Sequence, residues 1–323
     1  MATQKSNRAQ GRWKEIGRIG KPSGQGVLRL VQDSSGRLQG DYVRKVLENI
    51  KSEKARNRFN QEIEVSNALA KTGLAVVKIV DHDVAATPPW MVTPYYPAGD
   101  LDAKIRSGHF KGNLARVLEF LEKLIGILSQ VHQSAVHRDL KPANILIDKN
   151  GNPVLGDFGL CWLRDTGAKR RNSGTFEQIG SRHYIAPEAL GGIDSVKNPR
   201  GLDVYSIGKI AYALAAGHVL PGLELPREKF DLSISHPKSE AWFLFNELVG
   251  GLVNHNVDLR MDAWLRLPHL LSQVRELLIT PKPLADSARF QIQVKRALAT
   301  HPQLGEAERQ RIFNERRDGF RES

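Results

Sequence analysis

A periodic run of apolar residues most constrains the fold of this chain. Leu114, Val117, Leu118, Leu121, Leu124, Ile125, Leu128 and Val131 recur at i, i+3, i+4 and i+7, which predicts one long core helix ending near His132. Residues 13–90 read differently, as short strand-like runs punctuated by Gly and Ser. Leu28 and Leu30 alternate with Arg29 ahead of Asp33-Ser34-Ser35-Gly36, the turn chemistry of a hairpin, and a further strand is expected over 40–47. Ser52 is placed to cap a helix that runs to about Lys71 and stops at Gly73, with Phe59, Glu62, Ser66 and Leu69 on one face. Residues 145–148 and 153–155 flank Asn150-Gly151, the strongest short hairpin signal. Later helices are expected over 201–216, 239–253 and 262–278. A sheet-rich part followed by a helical part is an α+β arrangement.

The 323 residues, 41% hydrophobic and 25% charged, suffice for a sizeable core. The longest apolar stretch, 207–220, carries Lys209 and His218 and is too short to span a bilayer, so it reads as a buried helix. The first twelve residues contain Lys5, Arg8 and Arg12 and lack the apolar run of a secretory signal; the cytoplasm is the expected compartment and no membrane partner is expected. One cysteine, Cys161, excludes an intrachain disulfide and a multi-cysteine zinc site. The net charge of +12 favours anionic partners at long range. Its basic residues are dispersed, as in 51–58 and 169–171, without the aromatic interleaving of nucleic-acid modules, so no specific nucleic-acid binding is expected.

The chemistry concentrates in His137-Arg138-Asp139-Leu140-Lys141-Pro142-Ala143-Asn144, with Asp157-Phe158-Gly159 starting thirteen residues after Asn144. Phosphoryl transfer needs one carboxylate to hold a metal against the phosphates and another to orient or deprotonate the attacking hydroxyl. Asp157 and Asp139 suit those tasks. The Asn144 amide oxygen suits a second metal position, and hard oxygen ligands select Mg²⁺, with Mn²⁺ a possible substitute. Lys141 adds a cation where charge develops.

These segments, followed by Ala186-Pro187-Glu188, resemble the eukaryotic-type protein kinase family over roughly residues 13–278. Lys141-Pro142 resembles the serine/threonine branch. The resemblance implies a bilobal fold: an antiparallel-sheet lobe over about 13–93, a hinge at 94–99 and a larger, mainly helical lobe over 100–278. Residues 1–12 are left as an N-terminal extension and 279–323 as a basic, helical C-terminal one. It further implies ATP and Mg²⁺ as cofactors, protein Ser/Thr hydroxyls as substrates and a capacity for autophosphorylation. A pseudokinase scaffold is the alternative, with a small-molecule phosphotransferase behind it; Lys45, Asp139, Asn144 and Asp157 are all present, which favours an active enzyme.

By the same resemblance Lys45 contacts the phosphates and pairs with Glu62, preferred to Glu64 by helix-face geometry. Gly20, Gly24 and Gly26 form a glycine-rich loop, one residue off the usual spacing and carrying Pro22, which lacks an amide donor. The resemblance places Thr93 at the gatekeeper position, and by it Pro94 and Tyr96 are expected to offer backbone groups to adenine and Asp100 to reach the ribose. His137 is expected to pack against Phe158, and Cys161 to be a small buried hydrophobe. Ser181 is expected to bridge Asp139 and Lys141, Glu188 to pair with Arg260, and Asp203 to brace the catalytic loop. Arg138 calls for an anion, supplied in part by Glu177 and more fully by phosphorylation of Thr175, with Ser173 nearby.

Overall fold

The computed structural model describes residues 11–23, 26–163, 183–190, 196, 198–221, 231–236, 239–281, 308 and 310–311. They divide into two compact units, one within Met1–Leu101 and Gly126–Gly174, the other within Asp102–Ile125 and Thr175–Ser323.

The first unit holds a five-stranded antiparallel sheet: β1 (Trp13–Ser23), β2 (Gly26–Asp33), β3 (Tyr42–Val46), β4 (Asp81–Asp83) and β5 (Trp90–Pro94), in the order β1-β2-β3-β5-β4. The β2–β3 turn is the one expected at Asp33. Its side chain accepts hydrogen bonds from the Ser35 and Leu38 amides, and Gly36 takes φ +71, a conformation that favours glycine. One sheet face buries Trp13, Val31, Tyr42, Trp90 and Val92. The other carries Met91, which packs with Leu47, Phe59, Ile63 and Ile79. Phe59 and Ile63 belong to α1 (Glu53–Lys71), whose Ser52 cap accepts from the Ala55 amide as expected.

Arg12, read from sequence as part of an extension, is tied into this sheet. Its guanidinium donates to both Asp33 oxygens at 3.1 and 3.0 Å and approaches Asp81 at 3.4 Å, while Trp13 Nε1 donates to Asp81 at 2.8 Å. The Arg12 hydrogen bond, reinforced by Ser35 and Leu38, holds the Asp33 carboxyl well below the usual carboxylate range. Asp33→Asn is expected to lower Tm by several degrees in thermal unfolding followed by circular dichroism. A depressed folded-state pKa contributes stability above the ordinary carboxylate range, lost only as pH falls toward the shifted value. Variant and wild type should therefore converge in strong acid.

Among the described residues of this unit are four further short strands: β6 (Ala135–Val136) pairs with β9 (Trp162–Leu163), and β7 (Ile145–Ile147) with β8 (Pro153–Leu155). At the β7–β8 turn Asp148 accepts from the Asn150 and Asn152 amides, and Gly151 has φ +82.

The second unit is helical. It contains most of α2 (Leu101–Arg106), the start of α3 (Leu114–Val131), then α4 (Arg200–Ala216), α5 (Leu232–Ser235), α6 (Glu240–Leu252) and α7 (Val257–Ile279). α3 is the helix expected of the apolar run from Leu114 to Val131. α4 is buried on every side from Gly201 to Ala215, as expected of an all-round apolar helix. Within it Lys209 is buried and donates to the Leu220 carbonyl at 2.8 Å. A Cβ at Gly208 would lie 2.7 Å from Val253 Cγ1, so glycine permits this close packing. α7 starts five residues before the expected Asp262, because the Asn256 side chain caps it by accepting from the Asp258 and Leu259 amides. No helix among the described residues is long and apolar enough to cross a membrane.

Candidate active site

Strand register builds a cavity of about 380 Å³ in the first unit. Ile19, Leu28, Lys45 and Met91 are successive cross-strand partners from β1 through β2 and β3 to β5, so all four side chains share one face. They line the cavity together with Val43, Val77, Ala143 and Leu146. Thr93, Pro94, Tyr96 and Asp100 line it too. Lys45, Glu62, Asn144 and Asp157 form its polar end. An apolar slot with a few convergent charges suits a flat heterocycle bearing phosphates.

Lys45 Nζ lies 2.7 Å from Glu62 Oε2. α1 buries Glu62 beside Phe59 and Ile63, and this burial, opposed by Lys45, raises its carboxyl from 4.5 to about 7. Burial alone would lower Lys45; the Glu62 and Asp157 charges outweigh it and raise the ammonium. The raised Glu62 value has two opposite consequences. Its contribution to stability is fully present below pH 4.5 and is lost as pH rises through about 7. The ion pair, in contrast, requires the ionised form and strengthens over that range. A kcat/KM profile with an acid limb near neutrality is therefore expected, and Glu62→Gln should remove the limb along with most activity. Denaturant unfolding from pH 5 to 8 should show wild type losing stability relative to this variant. A limb unchanged in Glu62→Gln would refute the assignment.

A tight turn at Pro142–Asn144 follows Lys141 and folds Asn144 back on Asp139. Asn144 Nδ2 donates to the Asp139 carbonyl at 2.8 Å and to Asp139 Oδ2 at 3.1 Å, and Lys141 Nζ donates to the same Oδ2 at 2.7 Å. With its amide nitrogen thus engaged, Asn144 presents its oxygen as an available metal ligand. Arg138 and Asp157 adopt φ of 66° and 60°, a left-handed backbone that non-glycine residues hold only under constraint.

The two aspartates are driven in opposite directions. Burial raises Asp139, assisted by the nearby Asp157 charge and only partly countered by Lys141. Burial would raise Asp157 as well, but Lys45 and Lys141 outweigh it and hold this carboxyl below its usual range. One carboxylate is thus inclined to take a proton and the other to stay ionised. His137 serves neither role. Its Nδ1 accepts from the Asp139 amide at 3.4 Å, which assigns the proton to Nε2, donating to the Gly156 carbonyl at 2.9 Å. Its ring packs on Phe158 at 4.8 Å between centroids, as expected.

Sequence reasoning missed Arg58. It lines a second cavity of about 100 Å³ with Lys45, Glu62, Asp139 and Asp157. Its Nε and one terminal nitrogen are buried without a hydrogen-bond partner among the described residues. The available signal was spacing, since Arg58 precedes Glu62 by four residues on one helix face. Cys161 is buried, as expected, and its carbonyl and Sγ accept from Gln61 Nε2 at 2.5 and 3.2 Å. Gly20 and Gly26 lie in β1 and β2; Gly24, Ser173, Thr175, Glu177 and Ser181 fall outside the described residues. In the second unit Glu188 pairs with Arg260, as expected, and Asp203 is fully buried in α4.

A model of the protein kinase domain family matches residues 13–240. Among similar curated proteins, CBL-interacting serine/threonine-protein kinase 20 of Arabidopsis thaliana is 32% identical over 207 residues, 62% of this chain and 44% of that protein. CBL-interacting protein kinase 24 of Oryza sativa subsp. japonica is 31% identical over 240 residues, 72% and 49% respectively. Serine/threonine-protein kinase AfsK of Streptomyces coelicolor is 30% identical over 223 residues, 67% and 26%. The chain spans under half the length of these relatives.

Proposed function

The chain belongs to the protein kinase domain family, and from that premise we propose that it transfers the γ-phosphoryl group of ATP to serine and threonine hydroxyls of proteins. The observation that carries this reading is a pair of neighbouring aspartates that share the smaller cavity, Asp157 at the polar end of the apolar slot and held down, Asp139 pushed up. Asp139 accepts the hydroxyl proton. Lys141 and Asn144 fix the direction of its carboxylate. Lys45, held by Glu62, meets the nucleotide phosphates.

Asp157 and the Asn144 amide oxygen would hold a divalent cation. No group of three or more His, Cys, Asp or Glu gathers for a metal among the described residues. Two protein oxygens still fit Mg²⁺, which keeps several waters and takes its other ligands from phosphates. When bound, the cation neutralises charge on the transferred group.

Lys141-Pro142 and the serine/threonine specificity in the relatives' names support the substrate class. An intracellular, reducing compartment suits the single cysteine. Arg138 is the residue that an anion at Thr175 or Glu177 would order. The test is incubation of the chain with radiolabelled ATP, Mg²⁺ and generic protein substrates, followed by phosphoamino-acid analysis. Label on serine and threonine is expected. Nucleotide binding without transfer would favour the scaffold reading, and label on tyrosine alone would overturn the substrate class.

A further inference from the structure

The sheet face opposite the cavity carries a feature the proposed chemistry leaves unused. Arg18 of β1 pairs across the strands with Arg29 of β2, and Arg29 with Arg44 of β3, placing three arginines in one row. Their neighbours in sequence, Ile19, Leu28 and Lys45, line the cavity, so by alternation the arginines point away from it. Like charges directly opposite one another destabilise a sheet. Among the described residues one carboxylate relieves the row: Glu15 lies 2.6 Å from Arg29. Among the described residues, Arg18 is exposed and has no ion-pair partner, and Arg44 Nε is buried with no hydrogen-bond partner. Burial and the Arg29 charge together lower the Arg44 guanidinium, against the pull of Glu15. The first ten residues contain Lys5 and Arg8 and no acid, so they add no neutralising charge.

We propose that this arginine row is a docking site for a phosphate monoester carried on a segment of a partner protein. Adjacent strands lie about 4.8 Å apart, so the row is about 10 Å wide, within reach of two guanidinium forks closing on one dianion. An extended polyanion fits less well, because it would also press on the exposed Glu15. Next in sequence to Glu15, at the β1 register shift, Ile16 is 43% exposed and offers an apolar contact to a peptide neighbour. Charge complementarity selects the phosphate, and the apolar neighbour selects a peptide bearing it. Only the expectation that phosphoproteins surround this chain rests on the proposed kinase activity; the binding itself does not.

The experiment titrates the full chain, its nucleotide cavity saturated with a non-hydrolysable ATP analogue, into a dye-labelled peptide carrying one phosphothreonine and into its unphosphorylated twin. The phosphopeptide is expected to bind about tenfold more tightly, and Arg18→Gln/Arg44→Gln to abolish that difference. The same double variant should keep or raise Tm, since it removes like-charge repulsion. Arg138→Gln should leave phosphopeptide binding intact. Equal affinity for the two peptides would overturn the proposal. So would a double variant that loses stability yet binds the phosphopeptide as wild type does, or preferential binding of phosphatidylserine vesicles or single-stranded DNA over the phosphopeptide. Because no step requires transfer, an inactive chain that discriminates the peptides would refute the kinase reading alone.

Discussion

Asp139→Asn is expected to lower turnover about a thousandfold while changing the affinity for an ATP analogue by less than about threefold. The substitution keeps the side chain's shape and its contacts with Lys141 and Asn144 while removing the proposed proton acceptor. Asp157→Ala should differ. It removes the carboxylate held ionised by Lys45 and Lys141, so transfer is lost together with the Mg²⁺ dependence of nucleotide binding. Turnover by single-turnover kinetics, and affinity by titration with and without Mg²⁺, separate the variants. Near-wild-type transfer by either would remove the basis of the proposed mechanism.

Glu188→Gln is expected to cost about 3 kcal/mol of stability, because breaking a buried ion pair leaves an uncompensated charge. The Arg260 side chain is fully buried, and its Nε and Nη1 already lack hydrogen-bond partners among the described residues. Among the described residues the Tyr205 ring also supports it, 5.3 Å from the guanidinium carbon. Burial lowers the Arg260 pKa and Glu188 is the main opposition to that shift, so removing Glu188 leaves most of the penalty uncompensated. A second substitution, Arg260→Met, made in the Glu188→Gln background should restore most of the loss, since an apolar side chain of similar length removes the stranded cation. Urea unfolding of both variants checks this. Additive losses in the double variant would mean that the pair is not the source of the effect.

Much of the fold was legible because its signals are local. Ser52 caps α1, Asp33 with Gly36 and Asp148 with Gly151 make turns, and the apolar run defines α3; each depends on residues within a turn or two. The start of α7 was misplaced because Asp262 and Asn256 both suit a helix N-terminus, and the choice between them falls to the cap that forms. Arg12 fell outside the expected domain because its partners, Asp33 and Asp81, lie 21 and 69 residues away.

The site divides in the same manner. Motif spacing named Asp139, Asn144 and Asp157, since these residues are written close together in the chain, while Lys45 followed from the family resemblance. It assigned no acidity to either aspartate. That Asp139 is raised and Asp157 lowered depends on which ammonium groups approach each one after both lose water, and Lys45 comes from a strand over a hundred residues earlier. The arginine row likewise exists only through register: Arg18, Arg29 and Arg44 are unremarkable in a chain with 47 basic residues until three strands set them side by side. Short-range pattern selects caps, turns and helix faces because those energies arise within a few residues. Electrostatic character comes from desolvation and from charges distant in sequence, and folding alone brings those together.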